Sequence, residues 1–163
     1  MVEIPVARTI EVTKVKPIPD EDSYETDPIL FHRLQHQFNL NFELDVAAVE
    51  HNTLCNNFLT NALQQEWLVN NKPVDVWCNH PHSLNEKFVR RADEQHKKHN
   101  INILMIIPTN CQSAKFWHDT IETETKVMVE NHPLEKRPQF LKLGVKTKYP
   151  SRNAYRIVIW RKK

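Results

Sequence analysis

Four consecutive polar or ring-bearing residues, Asn79-His80-Pro81-His82, follow the apolar stretch Val74–Cys78. Asp45 ends a second apolar stretch, and Thr109 follows a third at Pro108. If those stretches are parallel strands, the three positions converge on one sheet edge, where open α/β sheets take their ligands. Cys78, His80 and His82 also lie within five residues. That grouping suits zinc by ligand type, but no second cluster has finger-like spacing to complete the shell. Other chemistries lack their signatures. The chain has a single glycine, Gly144, so neither a dinucleotide fingerprint nor a Walker loop can bring its backbone close to phosphates. There is no Gly-x-Ser-x-Gly elbow for a serine nucleophile. Cys55, Cys78 and Cys111 form no Cys-x-x-Cys pair and read as buried thiols in a reducing compartment.

The elements that would carry these residues follow from patterning. Asp27 is suited to cap a helix that has Pro28 in its first turn, and Leu30, Phe31, Leu34 and Phe38 repeat at helical spacing. Residues Phe42–Ala48 and Val74–Cys78 read as strands. Ser83 and Glu86 fit a capping box for a helix running to about His99, with His96 and His99 as solvated residues favoured by the dipole at its end. Ile101–Ile107 is a continuous apolar strand covered on both faces. A helix over Ser113–Ile121 follows, then strands near Lys126–Val129, Gln139–Leu143 and Ala154–Trp160. This order predicts an α/β sheet between helices, with antiparallel strands late in the chain. Residues 1–22 read as an arm with an edge strand near Thr9–Val15, and 23–163 as one domain. Trp77, Trp117 and Trp160 are expected to pack rather than stack on a ligand.

The 163 residues carry 22 basic and 20 acidic side chains, so net charge selects no partner. Its distribution is more informative. From Lys136 onward there are ten Lys or Arg and no Asp or Glu, a bias that suits a polyanion such as nucleic acid. The longest apolar run is too short to span a bilayer, and no signal-peptide core is present. A cytoplasmic protein without membrane attachment is expected.

The strand-motif-helix context of Asn79-His80-Pro81-His82 resembles the Asn-Pro-Pro-Tyr motif of amino-methyltransferases. Over about residues 22–160 the chain resembles the phage-type DNA N-6-adenine-methyltransferase (Dam-like) family. The matching segments are Tyr24 to Phe31, Phe42 to Ala48, Asn52 to Trp67 and Pro108 to Asp119, in the family's order. The resemblance implies a class I S-adenosylmethionine-dependent fold, a Rossmann-like three-layer sandwich, and methyl transfer to N6 of adenine in DNA. Adenine's amine is a poor nucleophile because its lone pair is delocalised into the ring. On the resemblance, the Asn79 side-chain oxygen and the His80 carbonyl would accept its two hydrogens, Pro81 would fix the turn, and His82 would stack on a flipped base. Thr26, Pro28, Asp45, Ala47 and Asn61 would contact the cofactor. Four positions depart from the family: His80 replaces proline, His82 replaces tyrosine, Asn61 replaces aspartate, and Asn110 falls near the family's arginine. An inactive scaffold binding DNA or a protein partner is therefore the competing expectation. Lys142, Lys146, Lys148 and Arg152 are expected to meet DNA phosphates. RNA would satisfy the same charges. A chain this short leaves target specificity to loops, a protein partner or a homo-oligomer.

Overall fold

The computed structural model describes residues 25–122, 129–134, 136–138, 140–142, 145–146, 151 and 154–163. The expected strand near Thr9–Val15 lies outside these residues. Asp27 caps α1 (Pro28–Phe38) by accepting from the Ile29 N–H at 3.0 Å, with Pro28 in the first turn. Asn39 ends the helix in the left-handed region, at φ 52°, a conformation that asparagine tolerates better than most residues.

Strand β1 is Phe42–Asp45, β2 is Asn57–Phe58, β3 is Asp75–Cys78 and β4 is Ile103–Pro108. Helix α2 (Asn85–His99) lies between β3 and β4, and α3 (Lys115–Thr120) follows β4. After them come β5 (Val129–Pro133), β6 (Leu141–Lys142), β7 (Val145–Lys146) and β8 (Tyr155–Trp160). The six-stranded sheet has the order β2-β1-β3-β4-β8-β5. Its first four strands are mutually parallel, and β8 is antiparallel to both β4 and β5. The pair β6–β7 forms a separate small sheet.

Helices cover both faces because β4 is apolar on both. Ile103, Met105 and Ile107 pack with Val89 and Ala92 of α2 and Trp117 of α3. Leu104 and Ile106 pack on the opposite face with Phe31, Leu34 and Phe38 of α1. This alternation is the period of two expected of a strand buried on both sides. In β1, Phe42 and Leu44 belong to opposite clusters although two residues apart. The register against β3 shifts between them, which rotates the strand before it reaches Asp45. Trp77, Trp117 and Trp160 are all packed in the core, as the sequence predicts, and Trp67 joins them with its indole N–H donating to the Ala62 carbonyl at 3.0 Å.

Several expected boundaries are corrected. Strand β1 stops at Asp45, where Val46–Ala48 turns away. Ser83 does not cap α2: a 3₁₀ turn, His82–Leu84, comes first, and α2 starts without a side-chain cap. Residues Thr109–Cys111 form a 3₁₀ turn, which shortens the following helix to Lys115–Thr120. Of the strand expected near Lys126–Val129, residues 126–128 lie outside the described residues, and the described strand runs over Val129–Pro133. His96 is buried rather than solvated, and its Nδ1 lies 2.8 Å from the Ile101 carbonyl. His99 contacts Glu66 at 3.1 Å.

Candidate active site

The four parallel strands end at Asp45, Phe58, Cys78 and Pro108 on one edge of the sheet. Tyr155, the first residue of β8, pairs with Pro108 and therefore stands on the same edge. The amino end of α1 also reaches it. Thr26, buried just before that helix, accepts a hydrogen bond from Asn79 Nδ2 at 2.7 Å. With its N–H group committed to Thr26, the Asn79 amide has a fixed plane, and its oxygen has a defined direction.

The two histidines of the motif have different surroundings. The His80 ring is buried, stacks on Phe88 at 5.5 Å and contacts Asn85 Oδ1 through Nε2. Its Nδ1 lies 3.9 Å from Cys78 Sγ. These contacts restrain the His80 ring and the turn that carries it. Pro81 is buried at φ −60° and leads into the 3₁₀ turn. His82 is half-buried, and its Nε2 lies 3.1 Å from the Tyr155 hydroxyl. Their rings are 5.4 Å apart, and Tyr155 packs edge-on against Phe140 at 5.5 Å. Among the described residues, no three His, Cys, Asp or Glu side chains are arranged to hold a metal ion.

Asp45 is buried at the end of β1, and its carboxylate accepts from the Ala47 N–H at 3.2 Å. Burial pushes its pKa up to about 7, while backbone N–H groups of Ala47 and Leu54 pull the other way. The nearby thiols are poor nucleophiles, because burial and the Asp45 charge raise both Cys55 and Cys78 well above the ordinary thiol range. Asn61 follows β2 and starts a 3₁₀ turn, with no capping bond from its side chain. Just before it, Thr60 Oγ1 is buried without a hydrogen-bond partner. Pro28 is exposed and serves the start of α1.

The basic residues divide into two groups. Glu25 pairs with Leu141 through two backbone hydrogen bonds of 2.7 and 2.8 Å, which moors the β6–β7 hairpin beside Thr26. Lys142 and Lys146 are exposed on that hairpin, and Lys146 lies 3.5 Å from the Asp27 carboxylate. Lys148 and Arg152 lie outside the described residues. The contributions of Tyr155, Asn85 and Thr60 were not legible in the sequence, since each depends on an approach between separate segments. No described helix is long and apolar enough to cross a membrane.

Residues 13–163 match the family model described as DNA N-6-adenine-methyltransferase (Dam). The chain is 34% identical over 113 residues to the DNA N-6-adenine-methyltransferase of Haemophilus phage HP1 (strain HP1c1), covering 68% of this chain and 62% of that protein. It is 38% identical over 78 residues to the DNA N-6-adenine-methyltransferase of Escherichia phage T1, covering 46% of this chain and 31% of that one. The matched region thus spans less than two thirds of either relative's length. With the family model matched over nearly its whole length, the chain belongs to the DNA N-6-adenine-methyltransferase (Dam) family.

Proposed function

We propose that this protein transfers a methyl group from S-adenosylmethionine to N6 of adenine in DNA, on a class I methyltransferase fold formed by residues 23–163. The observation that carries the reading is the Asn79–Thr26 hydrogen bond, which presents the Asn79 oxygen at the carboxyl end of β3. The placement of β8 between β4 and β5, antiparallel to both, supports the class I assignment.

The residues at the edge fit the cofactor. Buried Thr60 Oγ1 lacks a partner, and Asp45 is a buried acceptor suited to ligand hydroxyl or ammonium groups. Asp45, Ala47, Thr60 and Asn61 would hold the cofactor from the β1 and β2 ends, together with Thr26, which is bonded to Asn79. When bound, S-adenosylmethionine supplies an electrophilic methyl group on sulfur. Asn79 Oδ1 and the His80 carbonyl accept the two hydrogens of the adenine amine, which localises its lone pair for attack. His82, braced by Tyr155, provides a face for the flipped base. Transfer is direct, and positioning supplies most of the acceleration. The anchoring of His80 by Asn85 and Phe88 favours an active turn over an inactive scaffold.

The test is expression in a host lacking its own adenine methylase, followed by mass spectrometry of the DNA nucleosides. N6-methyladenine is expected with the wild type and is expected to disappear with Asn79→Ala. Its absence from the wild-type sample would favour the inactive scaffold.

A further inference from the structure

An open cleft runs between the first turns of α1 and the segment that leaves β5. Ile29, Arg33, Leu134, Lys136, Arg137 and Phe140 line it. Its floor is continuous with the core, since Phe140 is buried and Leu134 packs against the cluster under α1. Its rim is cationic, with Arg33, Lys136 and Arg137 all exposed. Ile29 stands at the same rim and is 72% exposed.

Charge pairing sets these cations apart from most of those on α2 and α3. On α2 and α3, Arg90, Arg91, Lys97, Lys98 and Lys115 each meet a carboxylate. Among the described residues, no carboxylate pairs with Arg33, Lys136 or Arg137. Asp27 is the acidic residue in the cleft lining, and it already faces Lys146 while capping α1. Three cations that meet no described carboxylate, above an apolar floor, match a chain that alternates phosphates with apolar sugar and base faces.

The cleft also reaches the candidate active site by two routes. At one end Asp27 adjoins Thr26, which is bonded to Asn79. At the other, Phe140 packs on Tyr155, whose hydroxyl meets His82. We propose that this cleft seats the DNA strand flanking the target adenine, with its phosphates on Arg33, Lys136 and Arg137. The assignment rests on the DNA-methylation reading and extends it to a strand path. It differs from the hairpin lysines, one of which is already paired within the protein.

The experiment measures binding of a fluorescently labelled, adenine-containing DNA duplex by anisotropy across a salt series. The wild type is compared with the triple variant Arg33→Gln, Lys136→Gln, Arg137→Gln and with Arg90→Gln as a control. Each lost phosphate contact should make the slope of log K against log salt shallower by about 0.9, while Arg90→Gln keeps the wild-type slope. Unchanged S-adenosylmethionine binding by calorimetry would show that the triple variant is folded. A wild-type slope in the triple variant would overturn the cleft assignment and leave methylation intact. A wild type that binds DNA through these residues but forms no methyladenine would retain the cleft and remove the enzymatic reading. Failure of the wild type to bind DNA would remove both. RNA that binds more tightly than DNA, and loses that advantage in the triple variant, would overturn the assignment to DNA.

Discussion

Tyr155 and His82 are 73 positions apart, and the tyrosine hydroxyl lies 3.1 Å from His82 Nε2. A phenol delivered by β8 thus braces the imidazole at the motif position where the family carries a tyrosine. Removing only the hydroxyl with Tyr155→Phe should leave the fold intact and let the His82 ring wander. The hydroxyl also lies 3.2 Å from Ser151 Oγ, and loss of the bond to His82 alone, at about 0.5–1.5 kcal/mol, corresponds to a loss of about 2–13-fold in kcat/KM. Steady-state kinetics with DNA should show it, with affinity for S-adenosylmethionine unchanged. Equal kinetics for the two proteins would refute a bracing role.

Thr26→Val removes the acceptor of the Asn79 amide and retains most of the side-chain volume. A part-buried donor left unpaired costs about 1–3 kcal/mol, so methyl transfer should fall by about 5–150-fold. Thr26→Ser should recover most of it, because the hydroxyl returns. If valine and serine behaved alike, the hydroxyl would have no part in positioning Asn79.

Asp45 makes stability depend on pH. Its folded-state pKa is raised to about 7 by burial, above the ordinary aspartate value of about 3.9. Between those values the folded protein holds a proton that the unfolded chain has released, so stability falls as pH rises through this window. Urea unfolding of the protein without cofactor should show that decline, and Asp45→Asn should flatten it. A variant with the same pH slope as the wild type would exclude Asp45 as its source.

Glu66 has the opposite sign. Its hydrogen bond with Lys98 leads the causes that hold it at about 2, with Gln95 and His99 also contributing. Stability from this group is present above the ordinary glutamate value and is lost as pH falls through that value toward about 2. The carboxylate is substantially exposed, so solvent screening keeps the effect of Glu66→Gln at neutral pH within about 1 kcal/mol. Thermal melts at neutral and acid pH should show the variant converging with the wild type as pH falls.

Local signals were the legible part of the sequence. Asp27-Pro28 marks a helix start by capping chemistry, and Ile103–Ile107 marks a strand covered on both sides because nothing polar interrupts it. The end of β3 placed Asn79 at the sheet edge, and family resemblance gave it a chemical role. What could not be read depends on competition or distance. Ser83 lost the start of α2 to a 3₁₀ turn, while Asn85 uses its side chain on His80. His96 looks like a solvated helix-end residue in a Lys-rich run, yet the Ile101 carbonyl captures it. Tyr155 reads as an ordinary strand residue until β8 pairs with β4 and delivers its hydroxyl to His82.

The sheet order bears on assembly of the chain during synthesis. Strand β8 fills the place between β4 and β5, and among the described residues β5 has no other strand neighbour. Until Tyr155–Trp160 has left the ribosome, β4 has one open edge and β5 has nothing to dock on. Such unpaired edges are where nascent chains associate wrongly. The brace for His82 also arrives with that segment, so the substrate face of the site is completed only after the four parallel strands have been synthesised.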